Sequence, residues 1–446
     1  MKIKKLKVFL RHNKRLTIIL LLLLGFILRL FLTRFGNLSG DILVFGEWGM
    51  RFWQYPLDKF YRVRDWQYSF PTYPPLSSLM YGGIFWLNDH RYLLAQIHNA
   101  TRLIPSFFVS FFGKVEPSTP FMWNNGYFML LKLPSVLADV GISLIIYKVV
   151  LEISKSSKKA LGALIFYLFN PLTIFLSSFW GQTESLIAFF GIYSFYLLHK
   201  KSYVLSIVML FCSLFIKPNW VVFIPVYLYI LYINKPKIRD LFFGAFLSIL
   251  LLFIFTYPFS GFNVLGFLKN TIIRNMLPAS KGAQKLTNSA FNIYSILSPI
   301  DSVLVTKRFL ISDSLWGWTF FLLVNIFVIK NVIKKNASAE NIFSAIFAVG
   351  MAAFLFLTGM LDRYFFPAFP ALIVLVFADI KSLAWGMLLN FSLFANLIWA
   401  FYRRDSHEIR TIYMFDHQLL IKFLSITNLI GYFKIIKLNI GRKLSK

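Results

Sequence analysis

Two stretches near the N-terminus decide the fold: residues 16–32 read LTIILLLLLGFILRLFL, and residues 40–48 read GDILVFGEW. The first is apolar and close to the length of about 20 residues that a membrane span needs. The second follows at the far end of that span and carries two carboxylates, Asp41 and Glu47, beside Trp48. Aromatic rings favour the membrane interface, where an apolar body and a polar tip are both satisfied. The sequence therefore predicts a first membrane span that leads into an acidic, aromatic segment at the membrane boundary.

The composition of the 446 residues indicates a polytopic membrane protein. Hydrophobic residues make up 58% of the chain and charged residues only 15%, and the apolar residues come in long blocks. The net charge of +29 is carried largely by basic clusters between these blocks, beginning with residues 2–15. Such clusters are what the positive-inside bias produces on cytoplasmic loops. We therefore expect membrane lipids as partners and no nucleic acid.

The alternation of apolar blocks and basic clusters predicts an all-α fold of about twelve transmembrane helices in a single integral-membrane domain, residues 1–446. Residues 1–15 are predicted to form a basic cytoplasmic tail, residues 36–125 a long first extracytoplasmic loop, and residues 259–313 a second. Within the first loop, residues 75–87 and 103–112 are too short to cross and are predicted to be interfacial or re-entrant helices. Alternatively, these two segments cross the membrane at a strong tilt; two extra crossings would leave the sidedness of all later spans unchanged.

The second outer loop is unusually basic for its predicted side of the membrane. Its basic residues are Lys269, Arg274, Lys281, Lys285, Lys307 and Arg308. Long loops escape the positive-inside bias, so this charge does not contradict the topology. Basic residues outside favour an anionic partner such as a lipid phosphate.

Polar residues that interrupt the apolar blocks concentrate on the predicted outer side, close to the ends of spans. They are Asp41, Glu47, Gln182, Glu184, Lys217, Asp362 and Arg363. Ionisable residues in such places are costly and are usually functional or paired. We favour a functional role for Asp41 and Arg363. Arg29 is better explained by snorkelling or a structural ion pair, and a buried structural hydrogen bond explains Asp139 at least as well as a direct role.

Signatures of nucleotide-dependent and metal-dependent enzymes do not occur in the sequence. It contains no Walker loop, no GxGxxG after a strand, no HExxH and no Asp-x-Asp pair. The six histidines are scattered without the spacing of metal ligands. We therefore expect neither a metal nor another cofactor.

The available polar residues suit glycosyl transfer from a polyprenyl-phosphate sugar. A phosphate leaving group needs cations rather than an acid, and arginine suits phosphate oxygens. The acceptor hydroxyl needs one general base, which a single carboxylate supplies. A hydrolase of unactivated glycosides would instead need a pair of carboxylates. Direct displacement with one base predicts inversion at the anomeric carbon.

Short motifs spread from the first to the tenth predicted span carry a family resemblance. They are Gly40-Asp41, Tyr73-Pro74-Pro75-Leu76, Leu137-Ala138-Asp139, Asn170-Pro171, residues 180–185, Lys217-Pro218, residues 288–294 and residues 362–367. Together they resemble the GT-C superfamily of integral-membrane glycosyltransferases, near the mannosyl- and glucosyltransferases that use polyprenyl- or dolichyl-phosphate sugars. The resemblance implies that Asp41 is the catalytic carboxylate. Where that family often has His-Glu-Arg-Tyr, this chain has Leu361-Asp362-Arg363-Tyr364, which keeps the arginine as a phosphate contact and lacks the histidine.

The sequence therefore predicts an inverting hexosyltransferase that moves mannose or glucose from a polyprenyl-phosphate donor to an extracytoplasmic glycan, glycolipid or protein. Asp41 is the expected general base, and Glu47 or Glu184 orients the acceptor. Lys217 and Arg363 contact the donor phosphate, and the remaining expected substrate-binding residues are Tyr73, Gln182 and Asp362. The expected location is a prokaryotic plasma membrane, with the site on the extracytoplasmic face.

Two other classes of protein remain open at this point. A transporter or flippase of lipid-linked sugars would also have many spans, but it should show two related halves with broken helices in corresponding positions. No such repeat is evident in the sequence. A polymerase or ligase of glycans would share the fold class and the external site.

Overall fold

The computed structural model describes residues 13–36, 39–112, 125–276, 285–300, 302–303, 310–333 and 336–441, so most of the predicted N-terminal tail lies outside it. The regular elements of this described part are helices. Those of the first half are α1 (Lys14–Leu32), α2 (Gly40–Gln54), α3 (Leu57–Phe60), α4 (Pro75–Asp89), α5 (Tyr92–Thr101), α6 (Ser106–Phe112), α7 (Asn125–Ser154), α8 (Ser157–Leu168), α9 (Pro171–Ile174), α10 (Glu184–His199) and α11 (Tyr203–Ile216).

The second half continues in the same way. Its helices are α12 (Ile224–Asn234), α13 (Ile238–Ser260), α14 (Val264–Thr271), α15 (Ile293–Leu297), α16 (Asp313–Val328), α17 (Ala339–Phe356), α18 (Phe369–Ala378), α19 (Leu383–Tyr402) and α20 (His407–Ile436). A short π-helical segment, Phe175–Trp180, here called the π turn, continues α9. A short 3-10 helix, Pro218–Phe223, precedes α12. Four non-helical residues, 415–418, divide α20 into two pieces.

Seven helical segments of the described chain are long and apolar enough to cross a membrane. They are Lys14–Leu32, Ser157–Trp180, Ile238–Ser260, Asp313–Ile333, Ala339–Phe356, Ile380–Tyr402 and His407–Asn439. Large apolar side chains are exposed on the outside of this bundle, as on α13, where Ile249 is 66% exposed. Such a surface suits lipid rather than water. The predicted all-α, multi-pass class is confirmed, whereas the predicted number of about twelve spans exceeds the seven found by length and composition.

The centre of the bundle is α17, in which every residue from Asn341 to Phe356 is buried. The helix is apolar all round, which is what a helix enclosed on every side requires. By contrast, α1 and α13 bury few of their residues and lie at the periphery. The span ends that carry the predicted site residues are thus held around one enclosed central helix.

The break between α8 and α9 follows from the pair Asn170-Pro171. Proline disfavours helical backbone in the residue before it, so α8 ends at Leu168. Pro171 then occupies the first position of α9, and the side chain of Asn170 accepts a hydrogen bond from the backbone N–H of Leu172 at 2.9 Å. The break redirects the chain into the π turn, which delivers Trp180 to the end of the bundle that the sequence predicts to face outside.

An aromatic cluster, built from both outer loops, packs at that end. Phe45 on α2 stacks on Tyr81 on α4 with ring centroids 4.8 Å apart. Tyr61 contacts Phe259 and Phe267 with ring centroids at 5.3 Å in both cases. Residues 40–89 and 259–276 therefore lie together at one end of the molecule. The predicted short helix at 75–87 is α4, whereas the segment predicted at 103–112 is helical only over α6.

Candidate functional site

Most of the sequence-predicted site residues come together at the end of the helix bundle that the sequence predicts to face outside. We call this set the outer charge cluster: Asp41, Gln182, Glu184, Lys217, Asp362 and Arg363. Its members belong to segments as far apart in sequence as residues 41 and 363. Tyr73 lies beside the cluster, and Glu47 does not join it.

Asp41 is positioned by the start of α2. The hydroxyl of Ser39 accepts a hydrogen bond from the backbone N–H of Ile42 and donates one to the carbonyl oxygen of Trp180 at 3.3 Å. These contacts cap α2 and attach it to the π turn. Asp41 consequently sits in the first turn of α2, where the positive end of the helix dipole favours a carboxylate.

Gly36 and Gly181 are required by the close approach of these segments. Gly36 has a φ of +68°, and a Cβ atom there would lie 2.4 Å from the carbonyl oxygen of Phe179. Gly181 has a φ of +82°, and a Cβ atom there would lie 2.8 Å from Ile42. Both positions combine left-handed backbone with no room for a side chain, so only glycine fits without strain.

A buried lysine on α7 ties the same segments together. The ammonium of Lys132 donates hydrogen bonds to the carbonyl oxygens of Thr33 at 3.0 Å, Phe35 at 2.5 Å and Phe179 at 2.8 Å. These oxygens include acceptors left open at the end of α1, which a nearby cation satisfies. Lys132 therefore fixes the end of α1 against the π turn that carries Trp180.

The carboxylate of Asp41 has both charged and neutral partners. One oxygen lies 3.4 Å from Nη2 of Arg363, and the other accepts hydrogen bonds from Nε2 of Gln182 at 2.7 Å and Nε1 of Trp180 at 3.2 Å. Burial acts to raise the pKa of Asp41, but Arg363, Gln182, Lys217 and Trp180 together hold it below its usual value. Asp41 is therefore ionised at neutral pH, and its side chain remains 35% exposed.

Lys217 and Glu184 form the buried part of the cluster. Nζ of Lys217 donates to Oε1 of Glu184 at 2.5 Å, and Nε of Arg363 lies 3.5 Å from the same oxygen. The ammonium lies 5.1 Å from the ring centroid of Tyr73 and 5.5 Å from that of Tyr364. Tyr73 is thus placed to stabilise a cation through its ring face.

Asp362 is a buried acid of the cluster with a raised pKa. Its Oδ1 lies 3.6 Å from Nη1 of Arg363. Burial raises the pKa of Asp362 to about 6, with Arg363 opposing the change and the carboxylates of Asp41 and Glu184 adding to it. The charge of the cluster therefore changes in the mildly acidic range.

A cavity of about 620 Å³ opens on the cluster. Its polar and charged lining residues are Ser39, Asp41, Trp180, Asn288, Ser289, Asp362, Arg363, Arg403, Arg404 and Asp405. Among the described residues, Oε1 of Gln182, Oε2 of Glu184 and Oδ2 of Asp362 are buried without a hydrogen-bond partner. Buried polar atoms are normally satisfied, so the open acceptor of Asp362, which lines the cavity, favours a polar ligand. Carboxylates suit sugar hydroxyls, and guanidinium groups suit phosphate.

Several lining residues had not been singled out as site residues from the sequence. Trp180 donates to Asp41 and also lies 5.4 Å, ring centroid to Cζ, from Arg363. Arg403 and Arg404 follow α19 at the predicted outer side. Like the predicted site residues, Arg403 and Arg404 are polar residues directly after a predicted span. Nothing in the sequence shows that this span ends beside Asp41.

Glu47 has a different environment from Asp41. Its side chain is buried, and its oxygens accept hydrogen bonds from the backbone N–H groups of Gln67 at 2.7 Å and Tyr68 at 3.0 Å. It also forms an ion pair with Arg51 at 2.8 Å. Glu47 therefore holds α2 against residues 67–68 and does not line the cavity.

Arg29 and Asp139 form a separate, buried ion pair inside the helix bundle, with Nε and Oδ2 3.2 Å apart. Arg29 also donates to the carbonyl oxygen of Leu168 and to Oγ1 of Thr173, while Asp139 accepts from the hydroxyl of Tyr167 at 2.8 Å. The structural ion pair expected for Arg29 is thus present, and its partner is Asp139. No group of three or more metal-ligating side chains is found within the described ranges.

Comparison with known proteins overturns the function predicted from the sequence. The family model described as GPI transamidase subunit PIG-U matches residues 102–283. The assignment to the GT-C superfamily is therefore wrong, and so are the predicted hexosyltransferase activity and the polyprenyl-phosphate sugar donor with its glycan acceptor. The alternative of a transporter or flippase is wrong as well.

The error has a physical reason. A carboxylate and a guanidinium at the membrane boundary can hold a phosphorylated, hydroxyl-rich headgroup without any transfer of a sugar. The same residues therefore fit both functions, and short motifs did not separate them. The general-base role given to Asp41 belonged to the sugar-transfer reaction and is withdrawn with it.

The matched part of the chain begins directly after α5 and ends beyond α14; it includes Gln182, Glu184 and Lys217, while Asp41 and Arg363 lie outside it. No curated protein matches this chain. Over residues 102–283, the chain is similar to the family of the GPI transamidase subunit PIG-U.

Proposed function

We propose that this chain is a membrane subunit of a GPI-transamidase-type complex and that its outer cavity binds the headgroup of a glycosylphosphatidylinositol lipid. The observation that carries the proposal is the match of the PIG-U family model to residues 102–283. A glycosylphosphatidylinositol carries sugar hydroxyls and phosphate on a membrane-anchored lipid, so its headgroup lies at the membrane boundary. A mixed-charge cavity beyond the ends of apolar helices is suited to such a ligand.

Each type of lining residue has a role in this proposal. Arg363 contacts phosphate, because a guanidinium grips phosphate oxygens in two places. Asp41 and the open oxygen of Asp362 accept hydrogen bonds from sugar hydroxyls. Trp180 offers an indole beside the same groups, against which the apolar face of a sugar ring packs. Gln182 and Lys217 orient the carboxylates of Asp41 and Glu184, respectively.

The proposed role is to bind and position the lipid. Tyr73 supports Lys217 through its ring, and Glu47 keeps the first loop in place without touching the ligand. Cys212, the single cysteine of the chain, lies within the apolar helix α11. We assign none of these residues to the amide-forming step of a transamidase.

The proposal includes a topology of twelve crossings in one integral-membrane domain, residues 1–446. The crossings are the seven long segments, α7, and four shorter apolar segments, Glu184–His199, Tyr203–Ile216, Pro218–Asn234 and Phe366–Ala378. Residues 36–125 and 259–313 then lie on the extracytoplasmic side, with α4, α5 and α6 at the interface. Of the basic residues predicted for the second loop, Lys281, Lys307 and Arg308 lie outside the described part of the chain. Assignment to a prokaryotic plasma membrane stays a prediction.

Cysteine labelling tests the topology. In a Cys212→Ala background expressed in a bacterial plasma membrane, single cysteines at Lys59 and Lys269 are expected to react with an impermeant maleimide on intact cells. A cysteine at Lys158, which follows α7 on the predicted cytoplasmic side, serves as the control and is expected to react only after the membrane is opened. The reverse pattern would contradict the proposed orientation.

Lipid binding tests the proposed ligand. The full chain in detergent is titrated with glycosylphosphatidylinositol and, separately, with phosphatidylinositol. The double variant Asp41→Asn/Arg363→Gln removes both members of this ion pair together, and Glu184 keeps Lys217 as its counter-ion. We expect it to lose about tenfold or more in affinity for the glycosylated lipid, since one charged hydrogen bond contributes about 1.5–3 kcal/mol. Equal binding of the two lipids by the unaltered chain would contradict the proposal.

The matched control is Glu408→Gln/Arg410→Gln, which removes one acid and one arginine from exposed positions on α20. It is expected to bind like the unaltered chain. A second measurement addresses the proposed complex: protein purified gently from its native membrane should carry transamidase activity towards a peptide and the lipid. Purified material that binds the lipid but carries no such activity would refute the subunit assignment alone.

A further inference from the structure

A second cavity, of about 650 Å³, lies where the two outer loops meet. One wall is formed by residues 61–64 of the first loop, and the other by residues 267–275 of α14 and the turn after it. Three arginines line it: Arg62, Arg64 and Arg274. This cavity is separate from the outer charge cluster and shares no lining residue with it.

Within the described part of the chain, no acidic side chain compensates the charge of this second cavity. No acidic side chain lines it, and Arg62, Arg64 and Arg274 take part in no ion pair within the described ranges. Three like charges around one space repel each other, and a bound anion relieves that repulsion. Arginine is also the side chain best matched to phosphate oxygens. The cavity therefore has the composition of a phosphate site.

The site is held in place by a buried asparagine. Asn275 is 1% exposed, and its Nδ2 donates to the carbonyl oxygens of Tyr61 at 3.1 Å and Pro71 at 2.9 Å. Its Oδ1 accepts from Nη2 of Arg64 at 2.9 Å. The guanidinium of Arg64 also lies over the ring of Phe70, 4.4 Å from its centroid. Arg64 is therefore oriented before any ligand binds, which lowers the entropic cost of binding.

Apolar side chains next to this second cavity indicate which phosphate-bearing ligand it takes. The wall formed by the second loop follows directly on α13, one of the candidate spans. Ile272 and Ile273 are 44% and 51% exposed, and Phe262 and Leu265 are exposed further still. Arginines beside exposed apolar side chains, just past the end of a span, match the level at which lipid headgroups meet acyl chains.

We propose that this arginine cavity binds the phosphate of an anionic phospholipid, whose acyl chains lie along the apolar side chains after α13. Arg62 and Arg64 come from the first outer loop and Arg274 from the second, so one phosphate contacts both loops. The bound lipid thereby holds the two loops together. This proposal rests on the arginine cavity alone and does not depend on the proposed function.

Thermal unfolding of the full chain in detergent tests the proposal. Phosphatidylglycerol is expected to raise the midpoint of unfolding by several degrees, whereas phosphatidylcholine and inorganic phosphate at equal concentration are expected to have little effect. The triple variant Arg62→Gln/Arg64→Gln/Arg274→Gln should lose this stabilisation. The control Lys158→Gln/Lys237→Gln/Lys381→Gln removes the same charge from exposed positions away from this cavity and should retain it.

Three outcomes would overturn the proposal. Equal stabilisation by inorganic phosphate would make this a site for free anions, and equal stabilisation of the triple variant would place the lipid elsewhere. If the control variant also lost the stabilisation by phosphatidylglycerol, the stabilisation would depend on net charge and not on this cavity. If the triple variant does not fold, Arg274→Gln alone, at an exposed position, is compared with the unaltered chain by native mass spectrometry of retained phosphatidylglycerol. Equal retention would then contradict the proposal.

Discussion

Two arginine–aspartate pairs in this molecule have almost the same separation and different surroundings. Nε of Arg29 and Oδ2 of Asp139 are 3.2 Å apart, and both side chains are fully buried. Nη2 of Arg363 and Oδ1 of Asp41 are 3.4 Å apart, but Asp41 is 35% exposed to a cavity. Identical residue types therefore occur once in a closed setting and once in an open one.

The difference lies in how far the hydrogen-bonding capacity is used. Among the described residues, no buried nitrogen or oxygen of Arg29 or Asp139 lacks a partner, because Leu168, Thr173 and Tyr167 complete the set. Around Asp41 and Arg363, oxygens of Gln182, Glu184 and Asp362 remain open. A pair whose capacity is filled stabilises the fold, whereas a pair with open neighbours can take a ligand.

The largest expected effect comes from breaking the closed pair. Asp139→Asn leaves Arg29 charged and buried without its counter-ion, and we expect a loss of about 3–5 kcal/mol in the free energy of unfolding. Chemical denaturation in detergent measures it. The double variant Arg29→Met/Asp139→Leu removes both charges and should recover much of the loss. If the double variant were as unstable as Asp139→Asn, the hydrogen bonds of the pair, and not only its charge balance, would contribute to the free energy of unfolding.

A smaller effect, seen in ligand binding rather than stability, is expected at the open pair. Arg363→Lys keeps the charge but loses the fork with which a guanidinium contacts phosphate and the three acids Asp41, Glu184 and Asp362. We expect about a tenfold loss of affinity for the glycosylphosphatidylinositol headgroup, which corresponds to about 1.4 kcal/mol. The midpoint of unfolding should change little. Unaltered affinity would mean that Arg403 or Arg404 holds the phosphate instead.

The smallest expected effect is a change with pH. Asp362 has a pKa raised to about 6 by burial, so it is ionised at pH 7.5 and mostly protonated at pH 5. As the pH falls through this range, the cavity loses a negative charge while Asp41, whose pKa is lowered, stays ionised. Affinity for the anionic headgroup should therefore rise a few-fold on acidification. In Asp362→Asn, isothermal titration at the two pH values should show no such rise, and a rise that persists would assign the titration to another group.

The class of the fold could be predicted from hydropathy because apolar blocks of span length have no other use in a chain this apolar. The number of spans could not be predicted in the same way. Segments such as α11 and α18 are apolar but shorter than a full crossing, and length and composition alone do not decide whether they span.

The membership of the outer charge cluster was also largely predictable, since polar residues at span ends are costly unless they are used. Glu47 shows the limit of that argument. Glu47 is also an acid at the predicted membrane boundary, six residues after Asp41 in the same helix. Six residues correspond to about one and two-thirds helical turns, so Glu47 points to a different side of the helix. There its oxygens accept hydrogen bonds from the backbone N–H groups of residues 67–68. Trp180 was missed because its partner, Asp41, is distant in sequence.

The contacts of Lys132 have a mechanical consequence for the outer cavity. Because one ammonium joins two carbonyl oxygens at the end of α1 to one in the π turn, these segments cannot slide past each other without breaking the hydrogen bonds on one side. The wall that carries Ser39, Asp41 and Trp180 is therefore cross-linked by hydrogen bonds. In the opposite wall, formed by residues 288–289 and 403–405, the backbone N–H of Asn288 donates to the carbonyl oxygen of Met360 at 2.9 Å and the carbonyl oxygen of Ser289 accepts from Asn396 at 2.7 Å. Hydrogen bonds from distant parts of the chain thus brace both sides of the cavity before any ligand enters it.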